Sequence, residues 1–271
     1  MRLLRPYNPL TYPAGRLSGF DPTHVLAGVK TRFSFVATSS GGAVDLVNGA
    51  KPGIVVGGPS ALIDGALGPA IKFAASTDAF TWSSRPATTE TIYTVAAIVR
   101  PSTVSGTAFY ACNSSGSGTG IGPGLFTSGV TAFALTLGGD TSVTTGIVPT
   151  VGLPYFFAIS FHQGTTTWNA AVRNLATGQI QTATGTQASV ASPSNGTYVF
   201  GNRDTLVGIG NNSAAMFSVG RFNLLPELIQ AASDPWSFWY PPISQQSFFS
   251  GVTSSGISPD TLFGAQPMIM M

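Results

Sequence analysis

The sequence predicts an all-β sandwich with one short helix near its C-terminus and an extended arm at each end. Three observations point there. From residue 31 to 222, short apolar runs are separated by clusters of Gly, Pro, Asn and Ser, the mark of many short strands joined by turns. Within this region, Thr91–Arg100 alternates Ile92, Thr94, Ala96 and Ile98 with Tyr93, Val95, Ala97 and Val99. Both faces are largely apolar, so this strand belongs at the centre of a sheet covered on both sides. Finally, no self-similarity recurs at a fixed period, which argues against a propeller or a β-helix.

Residues 1–30 carry Pro6, Pro9, Pro13 and Pro22, with Tyr7, Leu10, Tyr12, Leu17 and Phe20 between them. Proline fixes φ and removes a backbone donor, so this stretch forms neither a helix nor a central strand. Its aromatic content calls for a surface to lie on, and it is expected to be an extended arm. Candidate strands follow at Arg32–Ala37, Gly53–Val56, Ala70–Ala74, Ala79–Ser83, Thr91–Arg100, Thr107–Cys112, Gly122–Thr127, Val130–Leu137, Tyr155–His162, Trp168–Asn174, Thr197–Gly201 and Ala214–Phe222. The helix is placed at Leu224–Ala232, where Pro226 suits the first turn and Glu227 complements the helix dipole. Aromatics then return at Trp236, Phe238, Trp239 and Tyr240, followed by a Gly/Ser-rich tail with Phe248 and Phe249. The expected organisation is an N-terminal arm over 1–30, a sandwich over 31–242 and a C-terminal arm over 243–271. The expected core comprises Ile92, Val95, Ile98, Phe133, Leu135, Phe157, Ile159, Phe161, Phe217 and Val219, with Trp236 and Trp239 packed near the helix.

Composition narrows the function. Hydrophobic residues make up 43% of the 271, with mean hydropathy +0.27, enough to bury a sizeable core. Only 8% are charged, against about 25% in an ordinary soluble domain; large permanent interfaces tolerate such a surface because their centres are depleted in charge. A net charge of +2 without a basic cluster excludes a nucleic-acid footprint. Cys112 is the single cysteine, so the fold stands without an intrachain disulfide, and a buried thiol is expected. The start Met1-Arg2-Leu3-Leu4-Arg5-Pro6 lacks the apolar run of a signal peptide, and no window has the ~20 apolar residues needed to cross a bilayer. Synthesis in a cytoplasm and no membrane partner are the expectations.

The order of several motifs resembles the laminin G-like, concanavalin A-like jelly roll over residues 40–242. They are Val44-Asp45-Leu46-Val47-Asn48-Gly49, Ala70-Ile71-Lys72-Phe73 with Phe80-Thr81-Trp82, the long strand Thr91–Arg100, and Tyr155–Phe161. The closing array is Met216–Asn223, the helix, and Asp234-Pro235-Trp236; it is similar to the end of such domains in bacteriophage proteins. The resemblance implies a two-sheet antiparallel jelly roll. It also implies a non-enzymatic virion structural protein of a tailed bacteriophage, expected first as a capsid-surface decoration protein that uses its arms. Its partners would be other virion proteins (the major capsid protein or tail proteins) and copies of itself. A tail or fibre component, or a carbohydrate-binding module recognising a host glycan, is the alternative.

Catalytic chemistry finds little support in the residues. Glycosidases of this architecture need two carboxylates flanking the bond, whereas the two glutamates, Glu90 and Glu227, lie in different segments. No Gly-x-Ser-x-Gly elbow is present. His24 follows Asp21-Pro22-Thr23 in a turn, His162 ends a strand, and two histidines and one cysteine offer no zinc spacing. Gly120-Ile121-Gly122-Pro123-Gly124 lacks the strand-to-helix context of a phosphate loop. Asp140, Asp204 and Asn202 could serve calcium but form no cluster. No enzyme activity and no cofactor are therefore expected. Partner contact is assigned to Tyr7, Leu10, Tyr12, Phe20, Phe248 and Phe249. For a glycan, Trp82, Tyr110, Trp168 and Asn169 are the candidate platform, although an aromatic in a sandwich strand more often belongs to the core.

Overall fold

The computed structural model of the chain describes residues 19–20, 24–27, 33–47, 51–75, 77–82, 91–101, 108–114, 121–127, 132–138, 141–187, 197–202, 210–237 and 239–240. In chain order the elements begin with β1 (Gly19–Phe20), β2 (Phe33–Ala37), β3 (Ala43–Asp45), β4 (Lys51–Pro52), β5 (Ile54–Val56), β6 (Ser60–Asp64), β7 (Gly68–Phe73) and β8 (Ala79–Trp82). The middle of the chain forms β9 (Ile92–Pro101), β10 (Ala108–Ser114), β11 (Ile121–Thr127), β12 (Phe133–Gly138), β13 (Thr141–Thr144), β14 (Tyr155–His162) and β15 (Thr167–Asn174). It closes with β16 (Ile180–Thr186), β17 (Thr197–Phe200), β18 (Gly210–Val219), α1 (Leu225–Ser233) and β19 (Trp239–Tyr240).

These strands make the two-sheet antiparallel sandwich expected from the sequence. One sheet has seven strands in the order β13-β12-β11-β10-β17-β8-β5. The other has ten, along β16-β15-β14-β9-β18-β2-β3-β4, with β7 also pairing β18 and β6 pairing β7. Between β4 and β5 the chain crosses from one sheet to the other within a single residue, Gly53.

Side-chain alternation along the central strands builds two hydrophobic layers. Tyr93, Val95, Ala97 and Val99 of β9, and Tyr155, Phe157, Ile159 and Phe161 of β14, point between the sheets. There they meet Phe133, Leu135 and Leu137 of β12 and Tyr198 and Phe200 of β17. Ala96, Ile98, Phe156 and Ala158 point the other way, under Leu228, Ala231 and Ala232 of α1 together with Leu26, Leu67 and Trp236. The apolar character of both faces of β9 thus has its physical reason: one face fills the sandwich and the other carries a helical third layer.

Of the expected core, Val95, Ile98, Phe133, Leu135, Phe157, Ile159 and Phe161 are buried, whereas Ile92, at the first position of β9, is only half-buried. The side chains of Phe217 and Val219 lie outside the described residues. Trp236 packs with the helix as expected; for Trp239 only the backbone is described. Cys112 is buried, its thiol donating to the Asn202 carbonyl at 3.4 Å. Strands β1, β3, β4, β6, β13, β16 and β19 add to those expected from the sequence, and the helix is displaced by one residue.

Ile98 sits with no exposure in the layer beneath the helix. Ile98→Ala is expected to lower unfolding stability by about 2–5 kcal/mol, the cost of lost transfer energy plus an unfilled cavity. Chemical denaturation measures this; an unchanged midpoint would overturn the assignment of β9 to the centre of the sheet.

Candidate functional site

Among the described residues, two places stand apart from the sandwich's own needs: the cluster around Asn223, where residues 24–27 meet the segments flanking the helix, and the outer edge of β5.

The Asn223 cluster is built on a row of polar side chains. Thr94, Ser160 and Asn169 are register partners on β9, β14 and β15, and face outward in one line. Asn223, which follows β18, settles over this row. The Thr94 hydroxyl donates to Asn223 Oδ1 at 2.7 Å, the Ser160 hydroxyl donates to the Asn223 carbonyl at 2.7 Å, and Asn169 Nδ2 donates to the same carbonyl at 3.0 Å. Asn223 Nδ2 donates in turn to the Val25 carbonyl at 2.9 Å. Chain segments nearly two hundred residues apart are thereby tied at one buried amide.

Neighbouring contacts complete the cluster. Glu227 accepts the Leu224 N–H at 2.8 Å and pairs with Arg221, which satisfies one of the free donors at the helix start. At the other helix end, Arg173 of β15 donates to the Ala232 carbonyl at 2.8 Å and to that of Ser233, so the sheet supplies the cation that the last turn lacks. Leu26 is fully buried in the same layer. His24 Nδ1 accepts the Leu26 N–H at 3.2 Å, and its Nε2 lies 3.1 Å from Ser237 Oγ. Because the Ser237 hydroxyl donates to the Asp234 carbonyl at 2.7 Å, the His24 Nε2–H is the donor to Ser237. Just beyond, β1 and β19 pair, Gly19 opposite Tyr240 and Phe20 opposite Trp239. Residues 24–27, assigned from sequence to the N-terminal arm, are therefore docked on the sandwich. Phe20 is placed by its backbone in β1; Tyr7, Leu10, Tyr12, Phe248 and Phe249 lie outside the described residues.

The four residues considered as a glycan platform do not come together. Trp82, Tyr110 and Trp168 are buried between the sheets, with Trp168 no more than 8% exposed. Trp82 stacks on Phe35 with centroids 4.4 Å apart and planes at 5°; Tyr110 meets Phe157 edge-on at 6.0 Å. Burial pushes the Tyr110 phenol pKa up. Each indole is roofed by a glycine of the neighbouring chain segment: a Cβ at Gly53 would come within 2.7 Å of the Trp82 ring, and one at Gly185 within 2.7 Å of the Trp168 ring. Asn169 follows Trp168 in the same strand and so points to the opposite face, where it holds Asn223. The three rings are core residues and the amide is a structural tie.

Several acids are also committed to structure. Asp78 is buried, and its carboxylate accepts the N–H groups of Gly58 at 2.8 Å and of Ala74 and Ala75 at 2.9 Å each. Burial opposes its ionisation, but the three donors outweigh this and hold its pKa below the ordinary value. Asn202, considered from sequence for calcium, donates to the Asp78 carbonyl at 3.2 Å; Asp140, Asp204 and Glu90 lie outside the described residues. Asp64 accepts two bonds from Arg100 at 2.7 Å and turns the β6–β7 hairpin by accepting the Ala66 and Leu67 N–H groups. Against the cost of burial, Arg100 and these amides lower its pKa. His162 closes its own turn, accepting the Thr165 N–H at 3.2 Å. Among the described residues no group of three His, Cys, Asp or Glu could hold a metal ion, and no helix is long and apolar enough to cross a membrane.

The second place is β5. Its Ile54, Val55 and Val56 are 61%, 58% and 42% exposed, and the strand ends the seven-stranded sheet. Sequence reasoning identified this strand but not its exposure. The available signal is its setting: three consecutive β-branched residues bracketed by Pro52-Gly53 and Gly57-Gly58-Pro59.

No family model matches the chain, and no curated protein matches its sequence. Solved structures do resemble its fold. Domain 4 of AbnA, a GH43 extracellular arabinanase from Geobacillus stearothermophilus solved in complex with arabinotriose, is 14% identical, with TM-score 0.53; the match covers 75% of this chain and 98% of that one. The binding domain of botulinum neurotoxin serotype D is 10% identical with TM-score 0.53, covering 76% of this chain and 52% of that one. Full-length tailspike protein 2 from Escherichia coli O157:H7 bacteriophage CAB120 is 18% identical with TM-score 0.46, the match covering 69% of this chain and 27% of the tailspike. At these identities the likeness to AbnA domain 4 and to the neurotoxin binding domain establishes a shared β-sandwich fold.

Two outcomes check this account of the site. Gly185→Val should displace the Trp168 ring, destabilising the fold by about 1–3 kcal/mol as overpacking does and shifting indole fluorescence to the red; unchanged emission would contradict the packing. Asp78→Ala should cost about 1–3 kcal/mol near neutral pH, since three part-buried backbone N–H groups lose a charged acceptor. The folded carboxyl titrates below its unfolded value of about 3.9, so its contribution is complete above that pH and is lost as pH falls through the lower folded value. The stability gap between wild type and variant should therefore be constant near neutrality and close below about pH 4. A gap independent of pH would contradict the role of the charge.

Proposed function

We propose that the chain is a non-catalytic structural module of a tailed-bacteriophage particle, decorating the capsid surface through its two arms. The observation that carries this reading is the common base of the arms: β1 pairs with β19, His24 reaches Ser237, and Leu26 is buried beside Trp236. Two extensions leaving one spot suit a partner gripped from a single side. Supporting it are the 8% charged composition, the exposed β5 edge, and the structural commitment of Asp64, Asp78 and Glu227. The closing array, Met216 to Trp236, supports the laminin G-like phage resemblance.

A second reading is glycan recognition as part of a tail. The shared fold with AbnA domain 4, a domain solved with arabinotriose, favours it. Mass spectrometry of purified particles separates the two. Capsid decoration requires a copy number on the scale of the capsid lattice, a tail component only a few copies per particle. Absence from the particle would overturn both, and strong signals on a glycan array with few copies would select the second.

A further inference from the structure

The β5 edge is a prepared docking site. Gly53 N donates to the Ala43 carbonyl at 2.9 Å at one end, and Gly58 N to Asp78 at 2.8 Å at the other, so the strand between is held in place before any partner arrives. Among the described residues nothing pairs with its outer side. A sheet edge offers a row of backbone donors and acceptors that another extended backbone satisfies. Ile54, Val55 and Val56 are uncharged and exposed, so the complementary strand is apolar, uncharged and free of proline.

The chain contains such a segment. Residues 243–258 hold no proline and no charged residue, and Phe248, Phe249, Val252 and Thr253 favour strands. The N-terminal stretch is different: Pro6, Pro9 and Pro13 remove donors every few residues, and Arg2, Arg5 and Arg16 carry charge. We propose that the β5 edge receives residues 247–253 of a neighbouring copy of the chain as an added strand. This rests on the reading that the protein works by assembly.

The donor is a neighbouring copy because, in the reading above, the extensions join one subunit to the next. Each copy then gives one segment and receives one, a head-to-tail contact that closes into a ring or extends as a filament.

Two full-length variants test this. Val55→Lys places a charge on the exposed edge, and F248E/F249E charges the donated segment; near-UV circular dichroism and the unfolding midpoint of both variants should match wild type. In analytical ultracentrifugation wild type should associate with rising concentration. Each variant alone should require on the order of tenfold or more concentration to do so. Mixed together, one supplies an intact edge and the other an intact segment, and they should form a complex that stops at two chains. Association of both variants at wild-type concentrations would overturn the strand addition while leaving assembly through other surfaces standing. A wild type that stays monomeric throughout would overturn both. If the mixture fails to pair although each single variant is impaired, edge and segment are not partners, and the proposal falls.

Discussion

Thr94, Ser160 and Asn169 place two hydroxyls and an amide in a line across the sheet, beside the apolar row Ala96, Ala158 and Ala171. A buried polar group without a partner costs more than a hydrogen bond returns, so whatever covers this face must answer all three at once. Asn223 does so with its side-chain oxygen and its own carbonyl, and the remaining amide protons reach the N-terminal segment and Glu227. The position of α1 follows, because Asn223 stands just before its first turn. The position of residues 24–27 follows as well. One asparagine thus sets the register between the sandwich, its helical cover and the start of the chain.

The same logic of satisfied polar groups runs through the loops. Asp64 and Asp78 each take backbone donors that strands have left over, and Arg173 answers the carbonyls at the helix end. These ties concern segments with few apolar side chains, where packing alone would leave the backbone undetermined. With charged residues at 8% of the chain, those seen in the structure serve mainly to fix geometry.

How much of this could be read from sequence follows from burial on both faces. Thr91–Arg100 and Tyr155–His162 were recognisable because both of their sides are enclosed, so nearly every residue is apolar. Strands β6 and β16 escaped notice because they are edges: Ser60–Asp64 and Ile180–Thr186 alternate weakly and expose most of their side chains. Trp168 and Asn169 show the limit at the level of the site. They are adjacent in sequence, yet a strand sends them to opposite faces, and only the register of β14 and β15 tells which is inside. Thr94 and Ser160 did carry a readable signal, since a hydroxyl in the middle of an apolar strand implies a buried acceptor. The partner, Asn223, lies too far along the chain for spacing to reveal it.

The antiparallel pairing of β1 with β19 has a mechanical consequence. Gly19 faces Tyr240, so the chain leaves toward both termini from the same end of this ribbon. A force drawing the two strands apart at Gly19 and Tyr240 would open it as a zipper, one backbone bond at a time. Tension on both strands in a common direction would bypass the ribbon and load Leu26 and Trp236, which share the buried layer with α1. The ribbon is weak to peeling and strong to a shared pull.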